Sequence, residues 1–499
     1  MKLRAIVKAV AAAGAVAAVG LGMAEAAPSG KVGGNTVSIK DGYNDDVKST
    51  LSAASKISQD KLSLRVENIT NDDLAAIAAD FPKVGNLNIS SDKIDSIEPL
   101  KKVSVGGTLT LSAKNVADLS PLAAYTTLTT VDVNSKQVDN LKWLTPMTSL
   151  KYATIYAPKL ASIEGIPTAP QLKDLILAGM EIKDLKPLNS LPAIKRLDMR
   201  NAKVQDLSPL SSMKTLETIS LYGSTSGDLS PLASLPNLRD LDIYATTGID
   251  YNSLTTLTQI KKLGTGMTTM TDLSWVKKTV SLQELRVFAE NVTDYSPVVG
   301  SSVEKFTIWH MKSPVDVAQL KDATNLKDFT LDGCVKGAPV TNTSAIATMT
   351  SLKKFTAKLL DTCDGELDGT FAKGLSKLEE LIIDKVPKVT GIENFSNLTS
   401  LKKLKIARIN QGETVDLSFA GKLKNLTALE LVDVKVGGFD AIAGAENLEY
   451  LDIAKTEGIS SVKALKALPK LRTLVVKKGA FPDDELTGFA NPKLKINQR

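Results

Sequence analysis

The five letters DLSPL occur at residues 118–122, 206–210 and 228–232, and related segments fall on the same 22-residue grid. The column runs Ser96 (SIEPL), Asp118, Asn140 (NLKWL), Ser162 (SIEGI), Asp184 (DLKPL), Asp206, Asp228, Asp250 (DYNSL), Asp272 (DLSWV) and Asp294 (DYSPV). A second column, Leu128, Leu150, Leu172, Ile194, Leu216, Leu238, Ile260 and Leu282, keeps the identical step. One Ser-Pro turn is unremarkable, because proline fixes its own φ and biases the preceding residue. A turn repeated in strict register means a stack of equal units.

Between the two columns lies an L-x-x-L-x-L strand: LKDLIL (172–177), IKRLDM (194–199), LETISL (216–221) and LRDLDI (238–243). Alternation in these blocks sends one set of side chains inward and the set between them outward. A single unit of this size cannot bury its own apolar face, so the units must stack. Beyond residue 300 the spacing loosens, but the strands continue as VEKFTI (303–308), LKDFTL (326–331), LKKFTA (352–357), LEELII (378–383), LKKLKI (401–406), LTALEL (426–431), LEYLDI (448–453) and LRTLVV (471–476). LSLRV (62–66) and GNLNI (85–89) read as the first units. About 19 strands at roughly 4.8 Å spacing predict a concave parallel sheet about 90 Å long.

The ends read differently. MKLRAIVK, a short apolar stretch and AEA (24–26) form a secretory signal peptide over residues 1–26. Residues 27–60, with GYNDDVKSTLSAASKIS, predict a helical N-terminal cap whose first turn is acidic. Leucine-rich units then fill 61–480, and 481–499 is a C-terminal cap that includes a last short strand. No later apolar run is long enough to cross a bilayer, so no transmembrane anchor is expected. Aromatic residues make up only 5% of the chain, which predicts an aliphatic core.

The 22-residue step, the L-x-x-L-x-L strands and the DLSPL turn resemble the internalin-type leucine-rich repeats of bacterial surface and secreted proteins. The resemblance implies an α/β solenoid, a horseshoe or arc with a parallel concave sheet and short 3₁₀ turns and loops on the convex side. It also implies partner binding through the concave face. Where that family places Asn after the strand, this chain has Lys114, Pro158, Met180, Ala202, Ser224 and Thr246, so the turn backbone must be satisfied in another way.

The outward position after each L-x-L pair reads Ser112, Asn134, Tyr156, Ala178, Arg200, Tyr222, Tyr244, Gly266, Phe288, Trp309, Asp332, Lys358. Tyr152, Arg196, Asp198, Asp240, Asp242, Glu284 and Arg286 occupy neighbouring outward columns. Tyr, Trp and Arg carry much interface energy. Candidate partner-binding residues are therefore Tyr152, Tyr156, Arg196, Arg200, Tyr222, Tyr244, Arg286, Phe288 and Trp309. Solvated strand faces that merely favour aromatic residues are the alternative.

Cys334 and Cys363 follow neighbouring strands and fit one structural disulfide, with free buried thiols as the alternative. His310 is the only histidine, and a Cys-His nucleophile has nothing to orient it. DTCDGELDG (361–369) lacks calcium-loop spacing, no zinc set exists and no phosphate-cradling glycine motif occurs, so no metal and no cofactor are expected. The net charge of +6 falls to +4 once Lys2, Arg4, Lys8 and Glu25 leave with the signal peptide, too weak a bias for nucleic acid. The reading is a secreted, monomeric, non-enzymatic binder of a host or neighbouring-cell protein, acting in adhesion. A structural envelope protein holding polysaccharide or peptidoglycan, periplasmic or at the outer surface, is the alternative.

Overall fold

One repeat explains the rest. Asp228 opens its turn by accepting the Ser230 backbone N–H and hydroxyl, each at 2.8 Å. Pro231 then sits in the first turn of a 3₁₀ segment, Ser230–Ser234, closed by Leu232 N–H donating to the Leu229 carbonyl at 3.0 Å. The chain turns inward at Leu235 and Leu238 and enters the strand Asp240–Tyr244. Leu229, Leu232, Leu235, Leu238, Leu241 and Ile243 all lie fully buried, so one coil contributes six aliphatic side chains to a shared interior. The same Asp-to-Ser cap opens the turns at Asp118, Asp206, Asp272 and Asp416.

The computed structural model describes residues 27–179, 182–200, 202–223, 227–244, 248–266, 269–359, 363, 365–410 and 412–499. The expected signal peptide, residues 1–26, lies outside them. The described residues fall into two compact units, one running to Leu128 with Asp132–Gln137, the other Thr129–Val131 with Val138–Arg499.

In the first unit, a hairpin of Ser29–Gly33 and Thr36–Lys40 precedes the repeats. Its second strand pairs in parallel with Ser63–Glu67, which pairs with Lys83–Ser90 and then Ser104–Ser112. The segment 27–60 is thus only partly helical: it holds the helix Asp45–Thr50, capped by Asn44 at 3.0 Å, and two strands that the helical expectation did not include. The hairpin's signal was Gly34-Asn35 between two alternating runs, with Gly34 at φ +57° as such a turn requires. Val37 and Ile39 point inward and are buried. The first full coil carries a helix, Asn71–Asp80, with a Thr70–Asp73 capping box.

The second unit runs in parallel register, one repeat per strand: Asp174 beside Arg196, Thr218 beside Asp240, Asp240 beside Lys262, Lys262 beside Glu284. The step grows to 23 between Lys305 and Asp328 and to 26 between Asp328 and Lys354. The added residues build short parallel pairs ahead of the 3₁₀ turns, Val315–Asp316 with Val340–Thr341 and Glu366–Asp368 with Lys388–Thr390. The core there remains largely aliphatic but carries an aromatic column that the compositional expectation did not include. Phe306, Phe329 and Phe355 replace Leu in the inward column and stack at 6.1 and 5.8 Å, and Phe371, Phe395 and Phe419 continue the line. The few aromatic residues are concentrated rather than spread, so a low total says little about one stretch of core.

The missing Asn is replaced at the strand exit. Gly179, Gly223, Lys385 and Arg408 each take a left-handed φ and donate their N–H to the next coil's carbonyl at 2.7–3.0 Å. In the first unit the buried Ser91 adds a hydroxyl bridge, donating to the Ile69 carbonyl at 2.7 Å while accepting the Lys93 N–H at 3.2 Å. Met180, Ser224 and Thr246 lie outside the described residues. In the C-terminal segment, buried Glu485 accepts the Val462 N–H and the Ser461 hydroxyl, both at 2.9 Å, and so caps the last turn. The strand Lys495–Gln498 pairs with Thr473–Val476.

Candidate protein-binding face

The solvent side of the second unit's sheet carries three rows of side chains. The first reads Tyr152, Asp174, Arg196, Thr218, Asp240, Lys262, Glu284, Lys305, Asp328, Lys354, Glu380, Lys403 along the register. From Asp174 onward, Thr218 apart, acid and base alternate, and Lys305 meets Glu284 at 3.0 Å while Lys354 meets Glu380 at 3.1 Å. Opposite charges on adjacent strands stabilise the sheet and neutralise this row. It offers a partner little net charge.

The third row holds the aromatic residues, and the structure brings most of them together. Tyr222 and Tyr244 stack with centroids 6.4 Å apart, Tyr244 meets Trp309 edge-on at 5.8 Å, and Phe288 meets Trp309 at 4.9 Å. Tyr152 and Tyr156 stand apart on their own strand and are 47% and 40% exposed, the largest exposed aromatic side chains among the described residues. Phe288, expected to present surface, is 6% exposed: Trp309 and His310, the latter stacked on it at 4.6 Å, roof it over. Phe288 supports the patch from beneath.

The arginines divide. Arg200 is held by Asp198, its Nε and Nη2 donating to Oδ2 at 3.0 and 2.9 Å, and that carboxylate is almost wholly buried. Arg286 is exposed in the middle row, beside the aromatic residues, and Arg196 is exposed in the first, charged row. Burial, and then Asp240 beside it, push the Asp242 carboxyl up to about 6, against the opposing pull of Arg286.

Sequence reasoning gave no weight to the glycines of Lys262–Gly266. Gly264 and Gly266 occupy the second and third of the three outward-facing positions of that strand, so the face has a gap one strand wide. Neighbours lean into it. A methyl group on Gly264 would collide with the Asp242 carboxylate, and one on Gly266 with the Tyr244 ring. Trp309 borders the same gap, its Cζ2 3.2 Å from where a Gly266 Cβ would stand. The Trp309 Nε1–H is buried and has no hydrogen-bond partner among the described residues. Such an orphan donor costs about 1–3 kcal/mol. The signal was the string KLGTG, two glycines at alternate strand positions.

Cys334 and Cys363 are joined in a disulfide, with Cα atoms 5.4 Å apart, so neither carries a thiol beside His310. Among the described residues no group of three or more His, Cys, Asp or Glu is placed to hold a metal, and no helix is long and apolar enough to cross a membrane. A 790 Å³ groove near the last coils is lined by Arg408, Lys435, Lys455 and Lys477 with Asp433 and Glu457.

Among solved structures, the TLR13–ssRNA13 complex superposes with a TM-score of 0.58 at 17% identity, covering 93% of this chain and 73% of that one. The chain is a leucine-rich-repeat solenoid. This leucine-rich-repeat protein is also similar to an internalin (inlF) from Listeria monocytogenes, at 24% identity and a TM-score of 0.46 over 60% of this chain and 86% of that one. The Leptospira interrogans LRR protein LIC12759 shows 16% identity and a TM-score of 0.46 over 71% of this chain and 86% of that one. No protein-family model and no curated protein matches the sequence. Leucine-rich-repeat solenoids are interaction scaffolds that use an extended strand face.

Proposed function

We propose that this leucine-rich-repeat protein is secreted and acts as a monomer without a cofactor, binding a protein partner through the solvent face of its sheet in adhesion to, or modulation of, host cells. The observation that carries the reading is the aromatic row, Tyr156, Tyr222, Tyr244 and Trp309, set beside exposed Arg286 on a face whose first row, Arg196 included, carries charges that largely cancel. A polyanion-binding face would need unpaired cations, and this one presents aromatic area instead.

The test uses residues 27–499 as bait against host-cell and envelope extracts, with the retained protein identified and its affinity measured on purified material. A Tyr244→Ala, Trp309→Ala double variant is expected to lose about 30-fold or more in affinity, as truncation of even one hot spot does, with an unchanged circular dichroism spectrum. Equal affinity would overturn the reading. The groove lined by Lys435, Lys455 and Lys477, with Arg408 held by Asp384 at its edge, favours the second reading, an envelope protein holding an acidic polysaccharide or peptidoglycan. Salt-sensitive binding to purified envelope polymers, abolished by Lys435→Glu with Lys455→Glu, would support it.

A further inference from the structure

Within that protein-binding reading, on which this inference rests, we propose that Tyr244 is a movable cover over the Gly264–Gly266 gap, and that an extended backbone segment of the partner replaces it, one carbonyl accepting the Trp309 Nε1–H. Three independent observations converge on the gap. Glycine inside a strand marks a place where another backbone approaches closely, and here two occupy the outward positions of a single strand. The space they leave is filled by groups borrowed from the preceding strand, the Tyr244 ring over Gly266 and the Asp242 carboxylate over Gly264. The indole edge facing that space carries a buried donor with no acceptor among the described residues.

The covered state is therefore incomplete in a specific way: apolar contact is satisfied and one hydrogen bond is missing. The floor under the Tyr244 ring has no Cβ atom, so displacing that one side chain uncovers the gap. A main-chain carbonyl is the occupant that fits. It is neutral, as the surroundings require, since Arg286 and Lys262 stand against Asp242 and Asp240. It also needs the close approach that only a floor without Cβ atoms permits.

The test uses the full chain labelled with ¹⁵N only at its three tryptophans, the Trp309 indole signal being assigned by its loss in Trp309→Phe. The probe is a peptide selected on the wild-type chain from a random phage-displayed library and synthesised, with dependence on Tyr222 checked by Tyr222→Ala. Saturation with this peptide is expected to move the Trp309 indole proton downfield, and Trp309→Phe to weaken binding about tenfold, as loss of one hydrogen bond does. Gly266→Ala is the second variant. Its methyl displaces Tyr244 in the free protein, so acrylamide quenching of the Trp309 contribution rises while peptide affinity falls. Peptides that need Tyr222 but leave the Trp309 signal unmoved, or bind Gly266→Ala as tightly as the wild type, overturn this inference and leave the protein-binding reading standing. A library that yields no peptide dependent on the aromatic row overturns both.

Discussion

Single residues show two opposite uses of aspartate. Asp118 is held below the usual carboxylate range by the Ser120 backbone N–H and hydroxyl, and Asp206 and Asp272 by their own Ser partners, hydroxyl first. A folded pKa below the unfolded value contributes stability that is present above the unfolded pKa and lost as pH falls through the folded one. The turns therefore loosen in acid, below about pH 4. Asp242 has the opposite sign, raised to about 6 by burial and by Asp240. Its effect is most favourable below the unfolded pKa and is lost as pH rises through 6. Asp242→Asn is expected to stabilise the protein at pH 7 by roughly 1 kcal/mol, after discounting for the solvent that still reaches this group. That gain vanishes at pH 4. Thermal melts of both proteins at the two pH values check it.

At the scale of elements, the phenylalanine column and the disulfide hold the irregular repeats. Phe329 lies fully buried between Phe306 and Phe355. Phe329→Ala is expected to cost about 3–5 kcal/mol, because the close-packed line of rings cannot collapse around the loss of one. Urea denaturation followed by intrinsic fluorescence measures it. The Cys334–Cys363 bond closes 29 residues of chain, and removing it with Cys334→Ala and Cys363→Ala is expected to cost about 3–4 kcal/mol on the chain-entropy estimate. Hydrogen exchange should place that loss in the strands Asp328–Cys334 and Lys354–Lys358, since each coil touches only its neighbours.

For the whole molecule, the strict 22-residue grid makes repeats exchangeable. Deleting 206–227 joins Gln205 to Asp228 in register, so the strand Arg196–Arg200 meets Asp240–Tyr244 with the same inward residues. That deletion is expected to keep a cooperative melt and an unchanged spectrum shape. Deleting 206–216 instead breaks the register, and the cooperative transition should be lost. Calorimetry distinguishes them.

The turn at Asp228, the inward leucines and the outward aromatic column were legible from the letters because each depends on contacts within a few residues or on a constant period. The hairpin at Gly34-Asn35 was legible too, but the acidic helix signal beside it drew the reading away. Composition misled about Phe306, Phe329 and Phe355 because an average over the chain hides a local column.

Periodicity alone settled that the coils stack, which side chains point inward and which rows reach solvent, since a repeat that cannot enclose itself has one way to pair with its copy. Tertiary structure decided that Phe288 is roofed, that Arg200 is spent on Asp198, and that Tyr244 lies across Gly266 toward Trp309. The first and last of those outcomes depend on side chains from strands one to three repeats apart competing for the same space, and the second on which way two residues of one strand turn. A linear pattern places such groups in a row and does not say which of them falls into the gap.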